Sequence, residues 1–396
     1  MSDEDRASGF MPGKRPSLPH ASGGPLAGLT FAAKDLYDVA GHPTTYGNPD
    51  WARTHGAAVS TAPAVLALAE AGARFLGKTK TVELAFGLTG ENVWYGTPLN
   101  PAAPDRFPGG SSCGSASVVA RGEADIALGS DTGGSVRIPA SYCGIYGIRP
   151  SWGAVSLVGA RALAPSYDTA GWFAARASVL RLAGEALLPE GGEAPLGPVL
   201  RVQEAWMNAQ PAVAAALAPA LESVEKVLGS GLQLWLVPET LPALYEHFRA
   251  LQAEEAWATL GGWIEATKPE LGPGVAERFA MARDMDPAKV KAARSFRQGF
   301  RHRLAALLGG GAVLAYPTSP LVAPKLDASP AEQLWVREVT LAVTSIAGMG
   351  GLCEVSIPAA TVDDAPVGLS LVAAPGRDRA LLALAEQVAD RMGLPV

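Results

Sequence analysis

Apolar positions along the chain follow two different periods. Short apolar runs bounded by Gly, Pro or Asp occur at LTFAAK (29–34), RFLGK (74–78), ADIALGSD (124–131), LQLWLVP (232–238), AVLAYP (312–317), CEVSIP (353–358) and VGLSLVA (367–373). Each reads as a strand, and ADIALGSD as one buried on both faces. Helical spacing appears in STAPAVLALAEAG (60–72), with Ser60 or Thr61 as cap and Gly72 as stop. It recurs in SSCGSASVVARG, which opens at Ser111 or Ser112 and ends at Gly122, and in RALLALAEQVADRM (379–392). The Ala- and Leu-rich stretch 180–310 predicts mostly helix, and residues 1–25, rich in Pro, Gly and Ser, predict irregular chain. Helices alternating with apolar strands imply an α/β sandwich. No repeat or long linker divides the chain, so residues 1–396 are expected to form a single domain.

Composition narrows the class. Apolar residues make up 48% and charged residues 18%, which suits a large packed core and not a disordered chain. A formal charge of −6 argues against nucleic acid as a partner. No apolar run approaches the roughly 18 residues of a membrane span. The opening MSDEDRASGF has no apolar core of a secretory signal, and Cys113, Cys143 and Cys353 cannot all pair, so free thiols in the cytoplasm are expected.

One motif is a decoy. Gly72-Ala-Arg-Phe-Leu-Gly77-Lys78-Thr79 spells a phosphate-binding loop. Such a loop needs a strand before its first glycine and a helix at its Lys-Thr end. Here a helix comes first and Arg74-Phe75-Leu76 reads as strand, so a helix-to-strand turn is expected.

Elimination directs attention elsewhere. The five histidines, His20, His42, His55, His247 and His302, form no metal-ligand spacing, and no GxSxG string follows a predicted strand as an elbow requires. Neither a metal site nor a Ser–His–Asp triad is indicated. Two Gly-Ser clusters remain, Gly109-Gly110-Ser111-Ser112-Cys113-Gly114-Ser115 and Gly129-Ser130-Asp131-Thr132-Gly133-Gly134-Ser135, flanking one helix–strand unit. Adjacent glycines allow unusual dihedrals, and consecutive N–H groups in such a loop can converge on an oxyanion. The two loops could meet at one sheet edge.

These residues carry a resemblance. GGSSCGSA (109–116), the following DTGGSVRIPASYCGIYGIRPS (131–151), FAAKDLYDVAG (31–41), YPTSPLVAP (316–324) and APVGLSLVAAPGRDRALLALA (365–385) resemble the amidase-signature family over nearly the whole chain. The resemblance implies a mixed β-sheet sandwiched between helices, no cofactor and no metal. It implies Lys34 as base, Ser111 as proton relay with a cis peptide bond before it, and Ser135 as nucleophile. It also implies an oxyanion hole of the N–H groups of Thr132, Gly133, Gly134 and Ser135. A serine hydroxyl attacks only when a base takes its proton, and a neutral lysine can serve in place of histidine.

Around these groups, Ala85, Phe86 and Gly110 are expected at the substrate. Trp94 and Tyr95 either receive an aryl group or fill core. Asp131 and Arg137 are expected to pair and brace the nucleophile loop, with Asp168 as a further brace. Ser112 and Ser115 read as capping groups, and Cys113 is misplaced for a nucleophile. GNPDWARTHGAAVSTAP (47–63) and ENVWYGTPLNP (91–101) resemble the indole-3-acetamide hydrolase branch, which implies a small arylacetamide. Ammonia-releasing glutaminase subunits of amidotransferases and biuret-type hydrolases share the signature and are alternatives. The helical portion 180–310 resembles the family least, and a homodimer is one expected assembly.

Overall fold

The computed structural model describes residues 7–191, 194–237 and 240–396. Its strands are β1 (Thr30–Lys34), β2 (Arg74–Thr79), β3 (Ile126–Asp131), β4 (Tyr146–Arg149), β5 (Thr169–Ala174), β6 (Val199–Val202), β7 (Ser230–Leu234), β8 (Val313–Pro317), β9 (Cys353–Val362) and β10 (Ala365–Ala373). They form one sheet in the order β2-β1-β3-β5-β4-β9-β10-β8-β6-β7. Both ends of the sheet are parallel and its middle is antiparallel, so the sheet is mixed.

The helices are α1 (Pro49–Thr54), α2 (Pro63–Glu70), α3 (Cys113–Ala120), α4 (Arg137–Cys143), α5 (Ala177–Leu187), α6 (Gln203–Asn208), α7 (Pro211–Leu228), α8 (Leu241–Thr267), α9 (Val275–Arg283), α10 (Pro287–Leu308), α11 (Pro330–Gly350) and α12 (Asp378–Met392). They cover both faces. Along β1 and β3 the side chains alternate: Ala32 and Ala127 join a small core with Val119 of α3 and Ala140 of α4. Phe31, Ala33, Ile126 and Leu128 point the other way, into the main core with α2, α5 and α12. Small residues on the first face let α3 approach closely: a Cβ on Gly114 would lie 2.5 Å from the Lys80 backbone nitrogen.

Three sequence expectations shift. Helix α2 starts at Pro63, and Ala62 precedes it without a side-chain cap. Proline fits the first helical turn without a cap, and the Thr61 hydroxyl instead accepts from Ala40 N–H at 3.0 Å. Strand β7 occupies Ser230–Leu234 and not 232–238; it is a sheet edge whose following Trp235 is 63% exposed, and Pro238 falls outside the described residues. Strand β6, only four residues after Pro198, was hidden within the helical stretch. The phosphate-loop string folds as a turn, with Gly72 at φ +102° before β2. Its Lys78 is spoken for: Nζ pairs with Asp35 at 2.5 Å and donates to the Pro43 carbonyl and Thr44 hydroxyl, each at 3.0 Å.

Candidate active site

Strands β1 and β3 run parallel with Ala33 opposite Leu128, so both deliver their C-terminal residues to one edge of the sheet. That edge is where α/β sheets commonly bind ligands. Lys34 ends β1 with no exposed surface. Its Nζ donates to Ser111 Oγ at 2.7 Å and to Ser130 Oγ at 2.8 Å. Burial pulls its ammonium down from the ordinary lysine range to about 7, against the upward pull of Cys113, Asp168 and Asp131. A neutral amine in this position keeps a lone pair able to accept a hydroxyl proton.

Ser111 arrives from the loop that opens α3, and the Gly110–Ser111 peptide bond is cis. Its carbonyl accepts from Val82 N–H at 3.0 Å and the Thr81 hydroxyl at 3.1 Å. The two Gly-Ser clusters are stitched together. Ser112 N–H donates to the Ser135 carbonyl at 3.2 Å, and the Ser112 hydroxyl spans the Ser130 backbone, donating to its carbonyl and accepting from its N–H at 3.2 Å each. Ser115 donates to the Leu128 carbonyl at 2.8 Å. Neither serine therefore caps α3 with its side chain. The Cys113 thiol is buried and pushed up to about 11 by that burial, so it stays protonated at neutral pH.

The nucleophile loop is braced by ions. Asp131, at the end of β3, accepts from the N–H groups of Gly134 (2.9 Å), Val136 (3.0 Å) and Arg137 (3.3 Å). Its carboxylate pairs with Arg137 at 2.8 Å and Arg149 at 3.0 Å. Burial alone would raise its pKa, but the two guanidinium groups and the N–H donors hold it well below the usual carboxylate range. Arg137 also reaches Glu354 on β9 at 2.7 Å, and Glu354 in turn accepts from Ser370 at 2.6 Å and Tyr316 at 3.1 Å. On the other flank Asp168 accepts from the Thr132 hydroxyl at 2.6 Å and from Leu163 and Ala164 N–H. Gly134 sits at φ +125°, a conformation side chains rarely adopt.

Helices α8 and α11 close the other side. A Cβ on Gly133 would lie 2.8 Å from the Phe248 ring of α8, and the Thr344 hydroxyl of α11 donates to the Gly133 carbonyl at 2.6 Å. Tyr245, Phe248 and Gln252 share one face of α8; Arg337, Leu341 and Thr344 share one face of α11. Between them and the loop lies a chamber of about 10 Å³ lined by Ser135, Thr132, Gly133, Ala85, Gln252 and Arg337 among others. It shares Gly87, Leu88 and Arg337 with a cavity of about 710 Å³. Ala85 and Phe86 line the chamber beside Ser135, and Leu84 and Ala85 hold positive φ (49° and 54°), which aims that segment at the site. Trp94 and Tyr95 do not line it: the Trp94 indole donates to Glu83 at 2.7 Å, and the Trp94 and Tyr95 N–H groups are tied to Asn92 at 2.9 Å. No group of three or more His, Cys, Asp or Glu able to hold a metal occurs among the described residues.

A family model described as Amidase matches residues 12–191. Amidase 1 of Arabidopsis thaliana is 42% identical over 396 residues, covering 92% of this chain and 93% of that protein. This chain belongs to the amidase family. A solved amidase structure is 32% identical and superposes with a TM-score of 0.82, covering 93% of this amidase and 85% of its own chain. The amidase is also similar to a protein of Pisum sativum named translocon at the outer membrane of chloroplasts 64, 36% identical over 93% of this chain and 66% of that one.

Several residues of the amidase site were invisible to sequence reasoning. Ser130, the second partner of Lys34, was quoted only as part of a Gly-Ser cluster. Arg149, Glu354 and Thr344 come from distant elements, as do Gln252 and Arg337. Helical spacing of Arg337 with Thr344, and of Phe248 with Gln252, was the available signal, but in a chain so rich in helix it does not single out a site.

Proposed function

We propose that this amidase hydrolyses a small carboxamide to a carboxylic acid and ammonia through an acyl-Ser135 intermediate. The observation that carries the reading is the fully buried Lys34 amine hydrogen-bonded to Ser111, which belongs to the loop stitched to Ser135. Neutral Lys34 takes the Ser111 proton while Ser111 takes that of Ser135, and Ser135 Oγ attacks the amide carbon. The developing oxyanion is received by the N–H groups of Thr132, Gly133 and Ser135, each worth roughly 3 kcal/mol to the transition state. The Gly134 N–H, engaged by Asp131 at 2.9 Å, orients the loop instead. The proton then passes to the leaving nitrogen, ammonia departs, and water attacks the ester with the same groups acting in reverse.

A neutral arylacetamide is the second reading, supported by the apolar residues Val82, Leu88, Val275 and Met281 in the adjoining 710 Å³ cavity. We place the activity in the cytoplasm: Cys113, Cys143 and Cys353 are free thiols, as a reducing compartment would leave them, and no helix among the described residues is long and apolar enough to cross a membrane. An ammonia-release screen across aliphatic, aryl and ureido amides, with Ser135→Ala as blank, tests the reaction. Wild-type protein indistinguishable from that blank on every amide would refute it.

A further inference from the structure

The chamber beside Ser135 has one charged side chain among its described lining residues, Arg337, and next to it a buried amide, Gln252. Gln252 is only 6% exposed, and its side chain has no hydrogen-bond partner among the described residues. Arg337 makes one polar contact, donating to the Tyr245 hydroxyl at 3.2 Å, while its Nε is buried without a partner. No carboxylate of the described residues pairs with it. Elsewhere in this protein the fully buried arginines are held by carboxylates: Arg137 and Arg149 both reach Asp131, and Arg137 also reaches Glu354, although the Arg149 Nε likewise has no partner. Native proteins rarely leave such donors idle, and idle donors beside a nucleophile point to a ligand acceptor.

Acids line the adjoining cavity, but none of the described ones is paired with this cation. Arg337 stands where the chamber meets the wide cavity. Of the acids in that cavity, Glu83 is occupied by Asn48 (2.6 Å), Trp94 (2.7 Å) and Gly272 N–H (2.8 Å), and Glu277 by Gly274 N–H (2.5 Å). Glu91 and Glu338 lie exposed on the cavity lining. Arg278, a second guanidinium without an ion pair among the described residues, lies near Phe86 and lines the same cavity. A planar guanidinium with an amide beside it matches the two oxygens of a carboxylate.

We propose that Arg337 and Gln252 form a carboxylate subsite, and that the substrate is the amide of a short dicarboxylic acid: its amide end lies at Ser135 and its ionised end at Arg337. The inference rests on the hydrolytic reading of Ser135. It makes the substrate's negative charge a condition of productive binding, with the charged end where Arg337 opens onto the 710 Å³ cavity.

Calorimetric binding of succinamic and glutaramic acids, each against its neutral counterpart butanamide or pentanamide, tests it on the Ser135→Ala protein, where no turnover intervenes. One acid is expected to bind about 100-fold tighter than its neutral partner, the scale of a charge-assisted pair. Adding Arg337→Met should bring that ratio close to one, and Arg337→Lys should restore part of it, which a merely structural role for Arg337 would not do. Equal binding of acid and amide, or a preference that survives Arg337→Met in a protein with unchanged circular dichroism, overturns the subsite. Wild-type turnover of the same compounds and of phenylacetamide separates the two claims. Selective binding without ammonia release would remove the hydrolytic reading and leave the subsite standing. Hydrolysis of butanamide or phenylacetamide as fast as the acids would do the opposite.

Discussion

On the sheet side of Ser135, Asp131 is gripped by two arginines and three backbone N–H groups; on the helix side, Gln252 and Arg337 share a single hydrogen bond, to Tyr245. Both walls are buried and both are polar. Apart from the Arg149 Nε, the first wall's charged groups are bonded to one another and to the backbone around residues 131–137, so the position of Ser135 is over-determined. The second leaves donors unused at a cavity. The contrast separates positioning from recognition: saturated polar groups set where the chemistry occurs, and unsaturated ones decide what comes to it.

Substitutions on the first wall should act on rate and stability, and those on the second on selectivity. The largest effect is expected from Ser135→Ala, which should lower kcat by roughly 10⁴-fold or more with unchanged circular dichroism; full activity would remove the nucleophile. Lys34→Ala should lower kcat by about 10²- to 10⁴-fold, and Lys34→Arg should fail to rescue it because a guanidinium does not give up its proton. In wild-type protein kcat/KM should climb as pH rises through about 7 and then level, because Lys34 must lose its proton to act as base. Asp131→Asn should cost about 3–5 kcal/mol in denaturant unfolding, since buried Arg149 loses its counter-charge and buried Arg137 one of its two. Smallest in stability is Gln252→Leu: replacing an unpartnered amide with an apolar side chain should move the unfolding free energy by less than about 1 kcal/mol. That same variant should raise KM for the preferred amide. A large stability loss from Gln252→Leu, or none from Asp131→Asn, would erase the distinction between the walls.

The same division explains what could be read from the chain alone. Ser111 and Ser135 lie in motifs whose glycines and serines are local and densely spaced, Lys34 was placed beside them by the family resemblance of FAAKDLYDVAG, and β1, β3 and α3 each form from contiguous residues with clear boundaries. The Asp131–Arg137 pair was legible because the two residues flank one short loop. Arg149, Glu354 and Thr344 were not, because their partners are fixed by sheet order and helix packing far along the sequence. For Trp94 and Tyr95 the sequence left two roles open, an aryl pocket or core, because proximity to Ser111 along the chain does not say where a side chain goes; Glu83 holds the Trp94 indole and Asn92 the loop backbone. Strand β6 escaped because four residues are too few to show a period.

The central claim is that a buried, neutral Lys34 activates Ser135 through Ser111, and it can be tested without knowing the substrate. The rate at which a fluorophosphonate labels the protein should be followed against pH, with the modified residue located by peptide mapping. Labelling at Ser135 that rises with a midpoint near 7 and collapses in Lys34→Ala is the expected result. Labelling of Ser111 or Ser130 in its place, or a Ser135 rate indifferent to Lys34, would contradict the account.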